Sequence, residues 1–101
     1  MLQHQRADLN GPDLLELLRL DEDGFKKRFK NSPLLRTKRK GVLRNVCVAL
    51  GNVGDENALA ELDRARSDPE PLIAEHATWA IKRIRERTRE QTNAISLRQE
   101  P

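Results

Sequence analysis

A chain of 101 residues with 37% apolar residues, 35% charged residues and only three aromatics has material for one small domain and a thin core. No apolar run approaches a membrane span, the N-terminal Met-Leu-Gln-His-Gln-Arg lacks the apolar stretch of a secretion signal, and the lone Cys47 excludes an internal disulfide, so the expected location is cytoplasmic with no membrane contact. The formal net charge of +3 is unevenly spread: between Gly24 and Gly54 nine Lys/Arg occur without one Asp or Glu, which leaves the remainder net acidic.

Residues 1–9 carry no periodicity and read as an extended lead-in. Asn10-Gly11-Pro12-Asp13 is a helix start, with a capping residue, a proline at the first helical position and an acid in the first turn. Leu14, Leu15, Leu17, Leu18 and Leu20 then give a short helix over about 12–20 a broad apolar face. Asp21 is placed to cap a second helix over about 22–30, in which Phe25 and Phe29 stand four apart and meet on one side. Asn31-Ser32-Pro33 ends it, because the residue before proline is pushed away from helical geometry.

A central helix is predicted from about 35 or 38 to 51, with Val42, Leu43, Val46, Ala49, Leu50 and Val53 within an arc of about 120°. Lys38, Lys40, Arg44 and Asn45 fall outside that arc, with Lys40 beside Arg44 and Lys38 beside Asn45. Gly51 and Gly54 supply a stop and Asp55 the next cap, ahead of a helix over about 56–66 marked by Ala58, Leu59 and Leu62. Ser67-Asp68-Pro69-Glu70-Pro71 is a turn, and a last helix over about 71–88 carries the stripe Ile73, Ala77, Ala80, Ile81 and Ile84. Beyond Arg89 the polar run is expected to fray. Val46–Leu50 and Ala77–Ile81 echo each other at an offset of 31 residues, near the period of helical solenoid repeats. The expected fold is therefore all-α, about five helices, with a HEAT-like repeat pair preceded by two short helices. The single domain spans 10–88, and 89–101 forms the frayed tail.

The cation-rich window is the strongest functional feature. A row of cations at helical rise can follow a phosphate backbone, whereas a merely solvated helix face usually intersperses acids at three- and four-residue spacings. Lys82, Arg83, Arg85, Arg87 and Arg89 form a second cluster, read equally as RNA contact or as complement to a helix C-terminus. His76 and Trp79, three apart, are either packed against the preceding helix or available to stack on an unpaired base. No second His or Cys stands at ligand spacing, so no metal site is expected. Cys47 reads as a small buried hydrophobe, and Asp21, Asp55 and Asp68 stand where caps belong. No catalytic motif is present.

Three stretches occur in order: Arg6–Leu18, Phe25–Asn52 with its core S-P-x-x-R-x-K-R-x-G-x-L-R-N, and Glu75–Ile81. Together, over about residues 6–85, they resemble the C-terminal region of tRNA epoxyqueuosine reductases. The resemblance implies a bacterial, cytoplasmic enzyme family that reduces the epoxide of epoxyqueuosine in tRNA to give queuosine. It implies cobalamin and two four-iron four-sulfur clusters held upstream, and a helical region that grips the tRNA anticodon arm. Arg36, Lys38, Arg39, Arg44 and Asn45 match the basic motif, and His76 and Trp79 match a later H-A-x-W-A motif. Ala74 stands where an arginine is expected ahead of that motif. The expectation is a non-catalytic, monomeric tRNA-binding domain without cofactors of its own. Lys38, Arg39, Lys40 and Arg44 would hold phosphates, Arg36 would extend the row and Asn45 would add a polar contact. The partners are the tRNA anticodon arm and the catalytic part of such a reductase. The rival expectation is a HEAT-like protein-interaction scaffold without RNA binding.

Overall fold

The computed structural model describes residues 11–99, with side chains from 13 to 90. Among the described residues five α-helices follow one another: α1 Gly11–Leu18, α2 Glu22–Arg28, α3 Leu34–Val53, α4 Leu59–Ala65 and α5 Pro71–Gln99, with a 3-10 turn at Glu56–Ala58 leading into α4. The fold is all-α, with no strand among the described residues. The expected lead-in over 1–9 and the cap at Asn10 lie outside the described residues, as does Pro101 at the end of the expected tail.

Local chemistry accounts for most boundaries. Asp21 Oδ1 accepts from the Gly24 amide at 2.7 Å and starts α2, and Asp55 Oδ1 accepts from the Asn57 amide at 2.9 Å. Phe25 and Phe29 meet as expected, with ring centroids 4.8 Å apart. Pro71 is the first residue of α5. That helix does not end near Arg89 but continues to Gln99, in keeping with a segment that has no Gly or Pro before Pro101 and several strong helix formers.

Helix α3 is the hub, packing most extensively on α5 and also on α1 and α2, while α4 lies against α5 and α1. The core joins Leu14, Leu17 and Leu18 of α1 to Leu43, Val46 and Leu50 of α3, Leu62 of α4, and Ile73, Ala77 and Ile84 of α5. The two echoing segments thus face each other. The buried face of α3 is rotated from the predicted stripe: Cys47 and Gly51 are buried, Ala49 is half-buried and Val53 is 75% exposed. Close approach of α5 causes the rotation. A Cβ built on Gly51 would stand 2.5 Å from Trp79 Cζ3 and 3.2 Å from Ala80 Cα, so glycine sets the interhelical distance here.

The largest departure from expectation concerns Arg39, predicted to hold phosphate. Its side chain is only 10% exposed and points inward. Nε donates to the Leu20 carbonyl at 2.7 Å, and the two terminal nitrogens donate to both carboxylate oxygens of Asp68. Asp68 Oδ1 also accepts from the Glu70 amide at 2.9 Å. One guanidinium thereby ties the α1–α2 link, α3 and the α4–α5 turn together. Burial alone would raise the Asp68 pKa. The hydrogen bonds from Arg39 and Glu70, with the guanidinium charge, outweigh it and hold the carboxyl below its ordinary value.

Two outcomes are expected. Arg39→Ala strands the Asp68 carboxylate and should cost about 3 kcal/mol in denaturant unfolding. Because the folded pKa of Asp68 is depressed, the pair stabilises fully above the unfolded carboxyl value and less as pH falls through the folded one. The wild type should therefore lose stability below about pH 4. Asp68→Asn should lack that part of the acid dependence, and an identical pH profile would contradict it. Separately, Gly51→Ala should destabilise by about 1–3 kcal/mol and shift the emission of Trp79, the lone tryptophan, to the red as the ring is pushed toward solvent. Unchanged emission would mean the helices do not meet there.

Candidate nucleic-acid interface

The sequence places a row of cations along one helix, but the structure breaks that row at Lys38. Its backbone has φ 71° and ψ 157°, a region that side-chain-bearing residues rarely enter, and α3 is two helical pieces joined across this kink. Helical phase is lost there. Lys38 and Asn45, expected on a common side, line different grooves.

The first groove lies between α2 and the start of α3 and encloses about 700 Å³. Lys26 and Lys30 line it from the α2 side, Lys38 and Lys40 from α3. All four are exposed, and none is in ion-pair distance of a carboxylate among the described residues. Arg36 is exposed and likewise unpaired. Spacing along α3 does not point to Lys26 and Lys30, because they lie on α2 and in the turn after it. Their membership of the same acid-free window was the available signal.

The remaining site candidates separate from this cluster. Arg39 is withdrawn into the ion pair with Asp68, because it falls at the centre of the buried arc of α3. Arg44 is half-buried, and its Nε is sequestered without a hydrogen-bond partner among the described residues. Asn45 lies beside Arg28 and Thr37 on a second, largely apolar groove formed with α1. The structure thus brings Lys38 and Lys40 together, leaves Arg36 accessible at the helix start, and does not unite Arg39, Arg44 and Asn45 with them.

His76 and Trp79 share a shallow depression with Val48 and Glu75. His76 is half-buried, and its Nδ1 donates to the Leu72 carbonyl at 2.8 Å. Trp79 is 39% exposed, with its ring edge seated on Gly51 and the Arg83 guanidinium 5.9 Å from its centroid. The ring is packed along one edge and open elsewhere, so neither reading of the tryptophan is decided by its placement. The second basic cluster is divided as well. Arg87 donates to the Gly51 carbonyl at 2.9 Å and to that of Gly54, closing the C-terminus of α3 rather than of its own helix. Lys82, Arg85 and Arg89 line a smaller groove with Glu86.

Cys47 is fully buried, and burial followed by the Asp68 charge pushes its thiol up to about 12. Such a thiol is a poor metal ligand. Among the described residues no group of three or more His, Cys, Asp or Glu is placed to hold a metal ion. The residues present do not fit an iron–sulfur cluster. No helix among the described residues is long and apolar enough to cross a membrane.

With this geometry in place, comparison with known proteins is decisive about ancestry. The chain is 40% identical over 77 residues to the epoxyqueuosine reductase of Xanthomonas campestris, a match covering 75% of this chain and 22% of that protein. It is 42% identical over 76 residues to that of Salmonella typhimurium and 40% identical over 83 residues to that of Escherichia coli K12. This chain is homologous to one region of the epoxyqueuosine reductases. It spans only 20–22% of the length of these relatives. No family model matches the sequence, and no solved structure matches it significantly.

The kink yields a test of its own. Lys38→Gly relieves backbone strain of about 1–3 kcal/mol and incurs up to about 1 kcal/mol of added unfolded-state entropy. The expected result is a thermal midpoint raised by a few degrees. A lowered midpoint would mean that Lys38 is not held in this conformation.

Proposed function

We propose that this chain is a non-catalytic tRNA-binding module of the epoxyqueuosine reductase type, acting in cytoplasmic queuosine modification. It grips the anticodon arm through Lys38 and Lys40, joined by Lys26 and Lys30 and extended by Arg36. Its helices stack as HEAT-like layers that present the arm to the catalytic part of such a reductase, where cobalamin and clusters would reside. The observation that carries the reading is the concentration of four unpaired lysines, from α2, the turn after it and α3, in one groove, in a chain homologous to enzymes named for a tRNA nucleoside. Cations without carboxylate partners keep their full attraction for phosphate.

Arg39 has no part in this contact, and Arg44 and Asn45 are at most peripheral to it. His76 and Trp79 form a stacking site of second rank, since a base would have to displace Arg83 from the ring. Phosphate contacts fix register and carry little sequence information, so choice among tRNAs would rest on RNA shape and on the catalytic part. The scaffold reading draws on the exposed Leu34, Leu35 and Val53.

Affinity for a tRNA transcript, measured by fluorescence anisotropy across a salt series, separates the two readings. Each phosphate contact contributes about 0.7–0.9 to the slope of log affinity against log salt. Lys38→Ala/Lys40→Ala should lower that slope by about 1.5 and weaken binding at low salt. A tRNA affinity that is negligible, or indifferent to both salt and substitution, would remove the RNA reading and leave the scaffold.

A further inference from the structure

The lysine groove is more than a charged strip. Its floor includes Leu35, which is 38% exposed, and Phe25 also contributes to its lining. Two carboxylates, Glu22 and Glu70, stand in the same lining as the lysines. A duplex backbone offers phosphate and sugar to the protein and gains little from an apolar floor. A bare polyphosphate would be repelled by both acids. A ligand that satisfies all three features carries negative charge, a flat apolar face and hydrogen-bond donors. A nucleotide within a single strand has all three: its flanking phosphates, its base face, and its ribose hydroxyl or exocyclic amine. The volume of about 700 Å³ is ample for one such unit.

Building on the tRNA reading, we infer that this groove receives one unstacked nucleotide of single-stranded RNA. The ammonium groups of Lys26 and Lys30 on one side and of Lys38 and Lys40 on the other hold the phosphates flanking it. Leu35 supports the base, and Glu22 or Glu70 accepts from its sugar or its amine. Arg39 lines the groove but is committed elsewhere, with Nε on the Leu20 carbonyl and one N–H of each terminal nitrogen on Asp68. Unpaired nucleotides are the usual targets of RNA readers, since their faces are accessible without breaking a helix.

The probes are a fluorescently labelled single-stranded RNA pentamer and inorganic polyphosphate of matched charge, both with the full chain. Lys26→Ala/Lys30→Ala should weaken pentamer binding about tenfold. Leu35→Ala, a neutral change at an exposed position, should weaken the pentamer about threefold to fivefold and leave polyphosphate binding unchanged. In the unmodified chain, NMR should show intermolecular Overhauser contacts between the Leu35 methyls and base protons, a readout independent of how any variant folds. Polyphosphate competing as well as unlabelled pentamer, or an absence of Leu35–base contacts at saturation, would overturn the inference. If that happened while tRNA binding kept its salt slope and its response to Lys38 and Lys40, the groove would be a plain phosphate site and the broader reading would stand. Loss of the tRNA salt slope itself would bring down both.

Discussion

The ion pair between Arg39 and Asp68 is the constraint on which the rest of the molecule depends. The described helices, with so few aromatics, enclose little apolar volume, and this pair fastens the α1–α2 link and the α4–α5 turn to the hub helix α3. A guanidinium is suited to the place because it offers donors in a planar fork: one edge reaches the carboxylate while Nε reaches the Leu20 carbonyl. Buried charges are favourable only when good geometry and further hydrogen bonds offset their desolvation, and here Asp68 also receives the Glu70 amide. The same pair bears on the candidate site. Lys38 and Arg39 are neighbours in sequence, yet one side chain lines an open groove and the other is nearly covered. The left-handed φ at Lys38 is the backbone departure at the point where these two directions part.

Charged side chains have divided their labour by type. Arg19 and Arg64 share Glu61, Arg28 meets Glu16, Arg66 meets Asp63, and Arg87 closes the end of α3. The Glu61 carboxyl responds as expected: burial would raise its pKa, but its two arginines lower it on balance. Lys26, Lys30, Lys38 and Lys40 have no carboxylate partner among the described residues. These arginines use their forks in structural bonds, whereas Arg36 and the four lysines, the latter compact and mobile point charges, are left open at the surface. A protein that needed its lysines only for solubility would lose nothing by setting acids among them. The acid-free window is the feature on which the proposed phosphate contact draws.

Much of this fold was legible from residue pattern because its rules are local. The caps at Asp21 and Asp55, the Phe25–Phe29 contact and the stripe of α5 depend on neighbours within a turn or two. The homology to epoxyqueuosine reductases was legible from the S-P-x-x-R-x-K-R-x-G-x-L-R-N core. The fate of Arg39 is written in the same helical pattern. At 100° per residue it falls between Val46 and Leu50, inside the very arc assigned to the core, and a cation there demands a buried acid. The kink at Lys38 left no signal, since lysine gives no hint of a positive φ and nearby Gly41 is helical. The part played by Lys26 and Lys30 needed the angle between α2 and α3, which is a tertiary fact.

These elements combine into an argument about linkage. The four lysines that line one concavity outnumber its two carboxylates and on balance repel each other, and the backbone that presents one of them is strained. Both terms oppose folding of the free chain, and the Arg39–Asp68 pair lies next to them in the structure. An anion seated among the lysines would relieve the repulsion in the folded state alone, so binding and stability would rise together. In this design the groove is not an ornament on a finished fold: the ligand would complete an electrostatic balance that Glu22 and Glu70, two acids among four lysines, leave open.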